Sequence, residues 1–191
     1  LSLGNDMGRC SWCGSSKLMI EYHDKEWGVP LHNDKKLFEF LILEGAQAGL
    51  TWQTILNRRE NYRRAFDNFD PKKIARYTQK DISALLKDTG IIRNRLKIEA
   101  TIANAKKFLE IQKEFGSFDK YIWQFVNYKT IKNKFKSLND IPATTKESDL
   151  MSKELKKRGF KFVGPTICYA FMQAVGMVND HFTDCFRYNE V

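Results

Sequence analysis

Apolar residues recur at the three- and four-residue spacing of α-helices along most of this chain, and no sustained two-residue alternation typical of strands is present. Asn33 or Asp34 is placed to cap a helix that carries Leu37 and Leu41 on one face. That helix is expected to end near Glu44, just before a glycine-punctuated turn. The pattern predicts a single carboxylate at a helix end, facing inward.

The same spacing predicts further helices over residues 50–66, 71–77, 79–90, 93–115, from 118 onward, 148–158 and 165–175. In the helix over 93–115, Leu96 and Ile98 are among the residues expected to pack. Residues 127–145 are polar and lysine-rich, which is typical of a connector. The fold is therefore predicted to be all-α.

The length of 191 residues suits one domain, built as two small helical lobes that share a crevice. Met7 is interpreted as the natural start, so the domain is predicted over 7–191 and residues 1–6 are interpreted as a cloning remnant. No apolar stretch approaches the roughly 18–20 residues of a membrane span, and no signal peptide is visible. A cytoplasmic protein without membrane association is expected.

The formal net charge of +9 favours a polyanionic partner, with nucleic acid preferred over a membrane surface. Gly159 and Gly164 bracket a turn between two predicted helices, and Pro165 suits the first position of the second helix. Backbone amides there, with Lys161 and Thr166, could hold a DNA phosphate without reading sequence. The basic residues around the turn are Lys153, Lys156, Lys157, Arg158 and Lys161. An ordinary αα-hairpin with a solvated lysine face would give the same pattern.

Both ends of the chain carry cysteine and histidine residues that could meet around one zinc ion. The spacing leaves two ligand sets open: Cys10, Cys13, His181 and Cys185, or a set in which His23 replaces Cys13; the C-x2-C pair favours the first set. Four protein ligands would leave no position for water, so the role would be structural. Cys168 lies in an apolar helix and is expected to be a core residue.

Five ordered stretches resemble bacterial 3-methyladenine DNA glycosylase I: "RCSWC", "YHDKEWGVP", "LFEFLILEGAQAGLTWQTILNRRENYRRAF", "TGIIRNRLKI" and "LKKRGFKFVGPTICYAFMQAVGMVNDH". The resemblance runs from about Arg9 to Cys185. It implies the two-lobed, all-α helix–hairpin–helix DNA glycosylase fold, in which a damaged nucleotide is flipped into a pocket between the lobes. A structural zinc site would join the N- and C-terminal segments.

The resemblance also implies roles for individual residues. Glu44 would be the catalytic and base-binding acid, inside aromatic walls formed by Trp12, Tyr22 and Trp52, with Trp27 close by. The zinc ligands would be Cys10, His23, His181 and Cys185, with the participation of Cys13 left open. Gln47 and Leu50 resemble the wedge that fills the gap left by a flipped nucleotide; alternatively, Leu50 starts the core face of the next helix. Asn179 stands where other superfamily members place an aspartate, so the usual general base is in doubt, and Asp180 is one residue away.

The implied function is monofunctional excision of 3-methyladenine from alkylated double-stranded DNA by a monomer at the bacterial nucleoid. An ionised Glu44 would accept a hydrogen bond from the exocyclic amine of the cationic base, and aromatic faces would add cation–π attraction. Two alternatives remain: a non-catalytic, zinc-stabilised module that recognises damaged or bent duplex, and a glycosylase with another lesion preference. The first alternative has no use for Glu44.

Overall fold

A computed structural model describes residues 8–191 of the chain. The predicted start at Met7 and the remnant at residues 1–6 lie outside the described residues. In chain order the α-helices are α1 (Lys17–Lys25), α2 (Asp34–Ala46), α3 (Trp52–Ala65), α4 (Pro71–Ile74), α5 (Gln79–Leu85), α6 (Arg95–Phe115), α7 (Phe118–Ile122), α8 (Lys146–Lys157) and α9 (Pro165–Ala174). Short 3-10 helices lie at Ser11–Cys13, Asp67–Phe69, Trp123–Val126, Leu138–Asp140 and Phe186–Asn189. The predicted helical architecture is confirmed.

Helix α2 is the centre of the fold. All of its residues from Leu37 to Ala46 are buried, because α3, α6, α7 and α9 pack around it. Asn33 caps α2 by accepting a hydrogen bond from the Lys36 amide at 3.0 Å. The neighbouring Asp34 instead caps α7, since its carboxylate accepts hydrogen bonds from the amides of Phe118 and Asp119, both at 2.9 Å. The two candidate caps in the sequence therefore fix two different helices.

One short pair of strands was not predicted from the sequence. Strands β1 (Ile131–Lys132) and β2 (Val178–Asn179) pair in parallel, with Ile131 opposite Val178. Two residues are too few for an alternating pattern to show in the sequence, and the pairing joins segments that are distant along the chain. The pair secures the predicted connector against the segment that precedes His181.

Two further differences concern single helices. Helix α1, which Ser16 caps, was missed by the sequence interpretation although it carries Tyr22 and His23. Leu96, expected to pack, is 67% exposed because it lies in the first turn of α6 on the solvent side. Within residues 8–191, none of the helices combines the length and the hydrophobicity of a transmembrane span.

Candidate active site

A cleft of about 300 Å³ opens beside the end of α2. Its walls come from the 3-10 turn at Ser11–Cys13, from α1, from the start of α3, from the C-terminal half of α9, and from the connector. The lining residues are Trp12, Met19, Tyr22, Trp27, Glu44, Gln47, Trp52, Leu138, Ile141, Ala170 and Gln173. All five residues predicted to form a base pocket are thus brought together. The volume is at the lower end of the range of small-molecule pockets and suits a ligand about the size of a purine.

Glu44 lies in the last turn of α2 and is 4% exposed. Burial raises the pKa of its carboxyl to about 8, and burial is the sole cause of the shift. Glu44 is therefore mostly protonated at neutral pH, whereas the sequence interpretation assumed an ionised side chain. A cation placed in the cleft would favour the ionised form again.

The aromatic side chains of the cleft pack against one another in pairs. Trp12 and Trp27 meet edge to face with their ring centroids 4.8 Å apart, and Tyr22 and Trp52 are tilted at 5.3 Å. Such contacts hold the rings rigidly, which keeps the cleft open for a flat ligand. Within the described part of the chain, the buried indole N–H groups of Trp12 and Trp52 have no acceptor.

Some lining residues were not identified from the sequence. Met19 and Gln173 are two of them, and Gln173 also donates a hydrogen bond to Asp180 at 3.0 Å. The i, i+3 spacing of Ala170 and Gln173 on α9 is the signal that could have placed them on one face. Gln47, which was assigned to the DNA wedge, lines the cleft as well.

The turn after Glu44 holds Leu50 at the surface, with 38% of the residue exposed. The Leu50 amide donates to the Gln47 carbonyl at 2.7 Å, and Thr51 caps α3 by accepting a hydrogen bond from the Thr54 amide at 3.2 Å. Helix α3 therefore begins after Leu50. The alternative that Leu50 starts the core face of that helix is wrong.

The two ends of the chain meet in a buried cluster. The ligand atoms of Cys10, His23 and Cys185 lie within 4.8 Å of one another, and the ring of His181 is 5.0 Å from that of His23, centroid to centroid. Cys13 is buried but does not belong to this group. The arrangement thus favours the ligand set in which His23 replaces Cys13.

Both histidine rings of this cluster are oriented by a partner at Nδ1, the ring nitrogen that faces away from the cluster. His23 Nδ1 is 2.7 Å from the carboxylate of Asp24, which is itself paired with Arg9. His181 Nδ1 is 3.1 Å from Asn179 Oδ1, and its buried Nε2 has no partner among residues 8–191. A proton on each Nδ1 leaves Nε2 with the lone pair that a metal requires.

Two of the cluster residues have the protonation state that a metal ligand needs. Burial lowers the pKa of His181 to about 4, so the ring is neutral. The hydrogen bond between the two thiols lowers the pKa of Cys185 and raises that of Cys10, so Cys10 holds the shared proton and would release it on binding a metal. Gly28 is required beside the cluster, because a Cβ there would lie 2.8 Å from a ring carbon of His181. Cys168 is apart from the cluster, buried in α9 as expected.

Asn179 and Asp180 are both buried and fully hydrogen-bonded. The Asn179 amide donates to two backbone carbonyls near the C-terminus, both at 3.0 Å, while its oxygen orients His181. Asp180 accepts hydrogen bonds from Tyr169, from Gln173 at 3.0 Å and from Asn133 at 2.7 Å. Neither residue lines the cleft.

Helices α8 and α9 form the predicted hairpin, with a turn from Arg158 to Gly164. Gly159 adopts φ +94°, and Ser152 donates to the Val163 carbonyl at 2.6 Å, which closes the turn. Gly164 precedes α9 without a side-chain cap, so the first amides of that helix are open to a ligand. Of the predicted contact residues, Lys161 and Thr166 are exposed.

The basic residues around the hairpin are not equivalent. Lys153, Lys156 and Lys157 are exposed along α8. Arg158 instead makes a bidentate ion pair with Glu114, at 2.8 and 3.1 Å, which ties the hairpin to α6. The positive surface near the turn therefore comes from the lysines.

Known proteins that are similar in sequence share this architecture. The family model described as methyladenine glycosylase matches residues 12–188. A DNA-3-methyladenine glycosylase of Haemophilus influenzae is 52% identical over 177 residues, which covers 93% of this chain and 96% of the relative. A crystal structure of 3-methyladenine DNA glycosylase I superposes with a TM-score of 0.91 at 52% identity, covering 93% of this chain and 98% of that one.

A second solved structure shows a Tyr-to-Phe variant of 3-methyladenine DNA glycosylase I in complex with 3-methyladenine. It superposes with a TM-score of 0.91 at 37% identity and covers 94% of this chain and 97% of that one. Together with the family match over most of the chain, these similarities confirm the resemblance that the five sequence stretches indicated. The chain belongs to the methyladenine glycosylase family.

Proposed function

We propose that this protein is a monofunctional DNA glycosylase that hydrolyses the N-glycosidic bond of 3-methyladenine in alkylated double-stranded DNA and so starts base excision repair. The observation that carries the proposal is the juxtaposition of one buried carboxyl, Glu44, with the aromatic walls of a purine-sized cleft. The names of the relatives support a glycosylase over a non-catalytic DNA-binding module. A module of that kind would have no need of a buried acid.

Selection of the lesion follows from the charge of the methylated base. Adenine methylated at N3 is cationic while it is attached to its sugar, whereas normal adenine is neutral. A desolvated cation–π contact contributes about 1–2 kcal/mol, and a charge-assisted hydrogen bond about as much. Since about 1.4 kcal/mol is a factor of ten, a few such contacts discriminate by about a thousandfold or more.

Glu44 would act as the charge sensor of the cleft. Its pKa of about 8 means that deprotonation is costly in the empty cleft. A cationic base offsets this cost, whereas a neutral base does not. Once ionised, Glu44 can only accept a hydrogen bond, which matches the exocyclic amine of adenine. A keto purine such as 3-methylguanine would present an acceptor at that place and would be rejected.

Hydrolysis then requires little assistance to the leaving group. The C1′–N9 bond breaks with its electron pair moving onto the cationic base, which leaves as a neutral purine, and a water adds to C1′ and loses a proton. Asn179 cannot take that proton, because its amide is not a base and is fully hydrogen-bonded. Catalysis would rest on capture of the flipped base and on stabilisation of the departing purine, without a covalent lysine intermediate.

DNA would be held by the hairpin and opened by the turn after Glu44. The exposed lysines and the open amides before α9 suit contacts to phosphates, which position a duplex without reading its sequence. Gln47 and Leu50 would fill the gap left by the flipped nucleotide. The catalytic domain would span residues 7–191 as two helical lobes and act as a monomer in the bacterial cytoplasm, at the nucleoid.

A structural zinc ion would be held by Cys10, His23, His181 and Cys185. The fit is supported by the three clustered ligand residues and by the unpartnered Nε2 of His181. The ion would cross-link the two ends of the chain. Its four protein ligands would leave no coordination position for a water or a substrate, so it would not take part in catalysis. The residues around it orient the two imidazole rings.

The experiment that tests the proposal is chromatography of the bases released from methylated duplex DNA. The wild type should release 3-methyladenine, and Glu44→Gln should lower the rate by about a hundredfold or more, since a buried charge-assisted contact is lost. Glu39→Gln is the matched control, because Glu39 is a buried acid of the same helix that pairs with Arg63 outside the cleft. Salt-dependent duplex binding without base release would favour the DNA-binding module. Preferential release of another methylated base would indicate a different lesion preference.

A further inference from the structure

Helix α6 presents three polar side chains on one face: Lys97, Thr101 and Asn104. Their spacing of four and three residues aligns them on α6, and Thr101 bonds back to the Lys97 carbonyl at 2.9 Å within the helix. Lys97 and Asn104 instead reach out of the helix. Each binds the backbone of one of the two turns to which DNA contact was assigned above.

Lys97 binds the turn that follows Glu44. Its ammonium group donates to the carbonyls of Ala46 and Ala48, at 2.9 and 2.7 Å. These carbonyls lie at the negative end of the α2 dipole and lack helical partners, so a cation is the group that suits them. Lys97 therefore fixes the backbone between the acid of the cleft and the exposed Leu50.

Asn104 binds the tip of the hairpin. Its amide nitrogen donates to the Lys161 carbonyl at 2.9 Å, and its amide oxygen accepts from the Lys161 amide at 2.8 Å. Asn104 is 4% exposed, so both bonds are shielded from water. This two-point contact sets the orientation of the turn that presents Lys161 and Gly164.

The hairpin tip also contacts helix α2 next to Glu44. A Cβ built on Gly45 would lie 3.3 Å from the Cβ of Phe162, so the hairpin tip packs directly on the last turn of α2. Lys97 and Asn104 are about 10 Å apart along α6 at 1.5 Å per residue. One rigid helix thereby spans both turns and sets their separation.

We infer that Lys97 and Asn104 are positioning residues that fix the distance between the hairpin and the Gln47–Leu50 turn. In this way, a hairpin bound to the duplex backbone places the wedge and Glu44 at the lesion. The inference rests on the proposed glycosylase function. Neither residue lines the cleft, so neither contacts the base.

The test separates base binding from action on DNA. Lys97→Met removes the ammonium group at similar length, and Asn104→Leu removes both amide bonds at similar volume. Affinity for free 3-methyladenine, followed by tryptophan fluorescence, should stay within about twofold of wild type for Asn104→Leu, which has no contact with the cleft. For Lys97→Met it should fall by much less than excision, because the Lys97 bonds flank Gln47 but do not reach the base. Single-turnover excision from methylated duplex should fall about tenfold or more, since misplacement by about 1 Å has effects of that size. Lys97→Arg should restore most of the rate.

Lys106→Met is the matched control, since it removes one positive charge from an exposed position of the same helix. Fluorescence of 2-aminopurine placed beside the lesion reports flipping and should fall in step with excision. The inference is overturned if base affinity falls in parallel with excision, or if excision by Lys97→Met equals that of Lys106→Met. If Asn104→Leu does not fold, Asn104→Asp keeps the acceptor for the Lys161 amide and takes its place. A wild type that binds the free base but releases none from DNA would refute the proposed function itself, and this inference with it.

Discussion

The cleft and the cysteine–histidine cluster lie side by side, joined through Trp12 and His23 with ring centroids 5.3 Å apart, yet they treat polar groups in opposite ways. In the cluster, each histidine has a partner that fixes its tautomer. In the cleft, burial alone acts on Glu44, and its pKa rises. Histidines oriented by a partner on Nδ1 belong to a site with a fixed structure, whereas an acid without a partner is held ready for a ligand.

The largest effect is expected from loss of the proposed zinc ion, which would disrupt the cysteine–histidine cluster. We expect one zinc per chain and loss of several kcal/mol of stability on chelation, because structural zinc sites contribute about 10 kcal/mol or more to folding in small domains. Thermal unfolding with and without a chelator, together with metal analysis, measures this. His181→Asn should reproduce it, while Cys13→Ser should keep the metal. Loss of zinc from Cys13→Ser would return Cys13 to the ligand set.

The second-largest effect is expected in the pH dependence of folding stability, because Glu44 has no partner to stabilise its charge. The folded pKa of Glu44, about 8, is above its ordinary value of 4.5, so folding favours the protonated form. The contribution of Glu44 protonation to the free energy of unfolding is fully present below about pH 4.5, and it is lost as the pH rises toward 8. Glu44→Gln should therefore be more stable than wild type at pH 8, by up to about 4 kcal/mol, and similar at pH 4.

Denaturant unfolding of wild type and Glu44→Gln at several pH values measures this difference. Glu39→Gln is the informative control, because it breaks the contact with Arg63 at 2.8 Å and should destabilise by about 1–2 kcal/mol. Two acids five residues apart on one helix would then respond with opposite sign. A gain from Glu44→Gln that is the same at pH 4 and pH 8 would contradict the assigned pKa.

The sequence predicted the helices and the location of the acid, because helical periodicity and glycine punctuation are local properties. It could not choose between Cys13 and His23, since both are near Cys10 in sequence and only the direction of the unpredicted helix α1 separates them. It also assumed an ionised Glu44, because a pKa depends on burial by residues distant in the chain. The bracing contacts of Lys97 were missed for the same reason, because they are long-range contacts without a local pattern.

The smallest effect is expected at Asn179, which tests whether it belongs to the cluster or to the chemistry. Its oxygen holds Nδ1 of His181, so Asn179→Ala should weaken metal affinity by about 10–100-fold, the usual effect of losing such an orienting partner. Competition with a chromophoric chelator measures that affinity. With zinc in excess, affinity for free 3-methyladenine should be unchanged, because Asn179 is apart from the cleft.

Asn179→Asp should likewise give no gain in excision, since a carboxylate there would face His181 and the C-terminal carbonyls instead of the sugar. A faster Asn179→Asp enzyme would place this position at the reacting bond and would remove the distinction between the two regions.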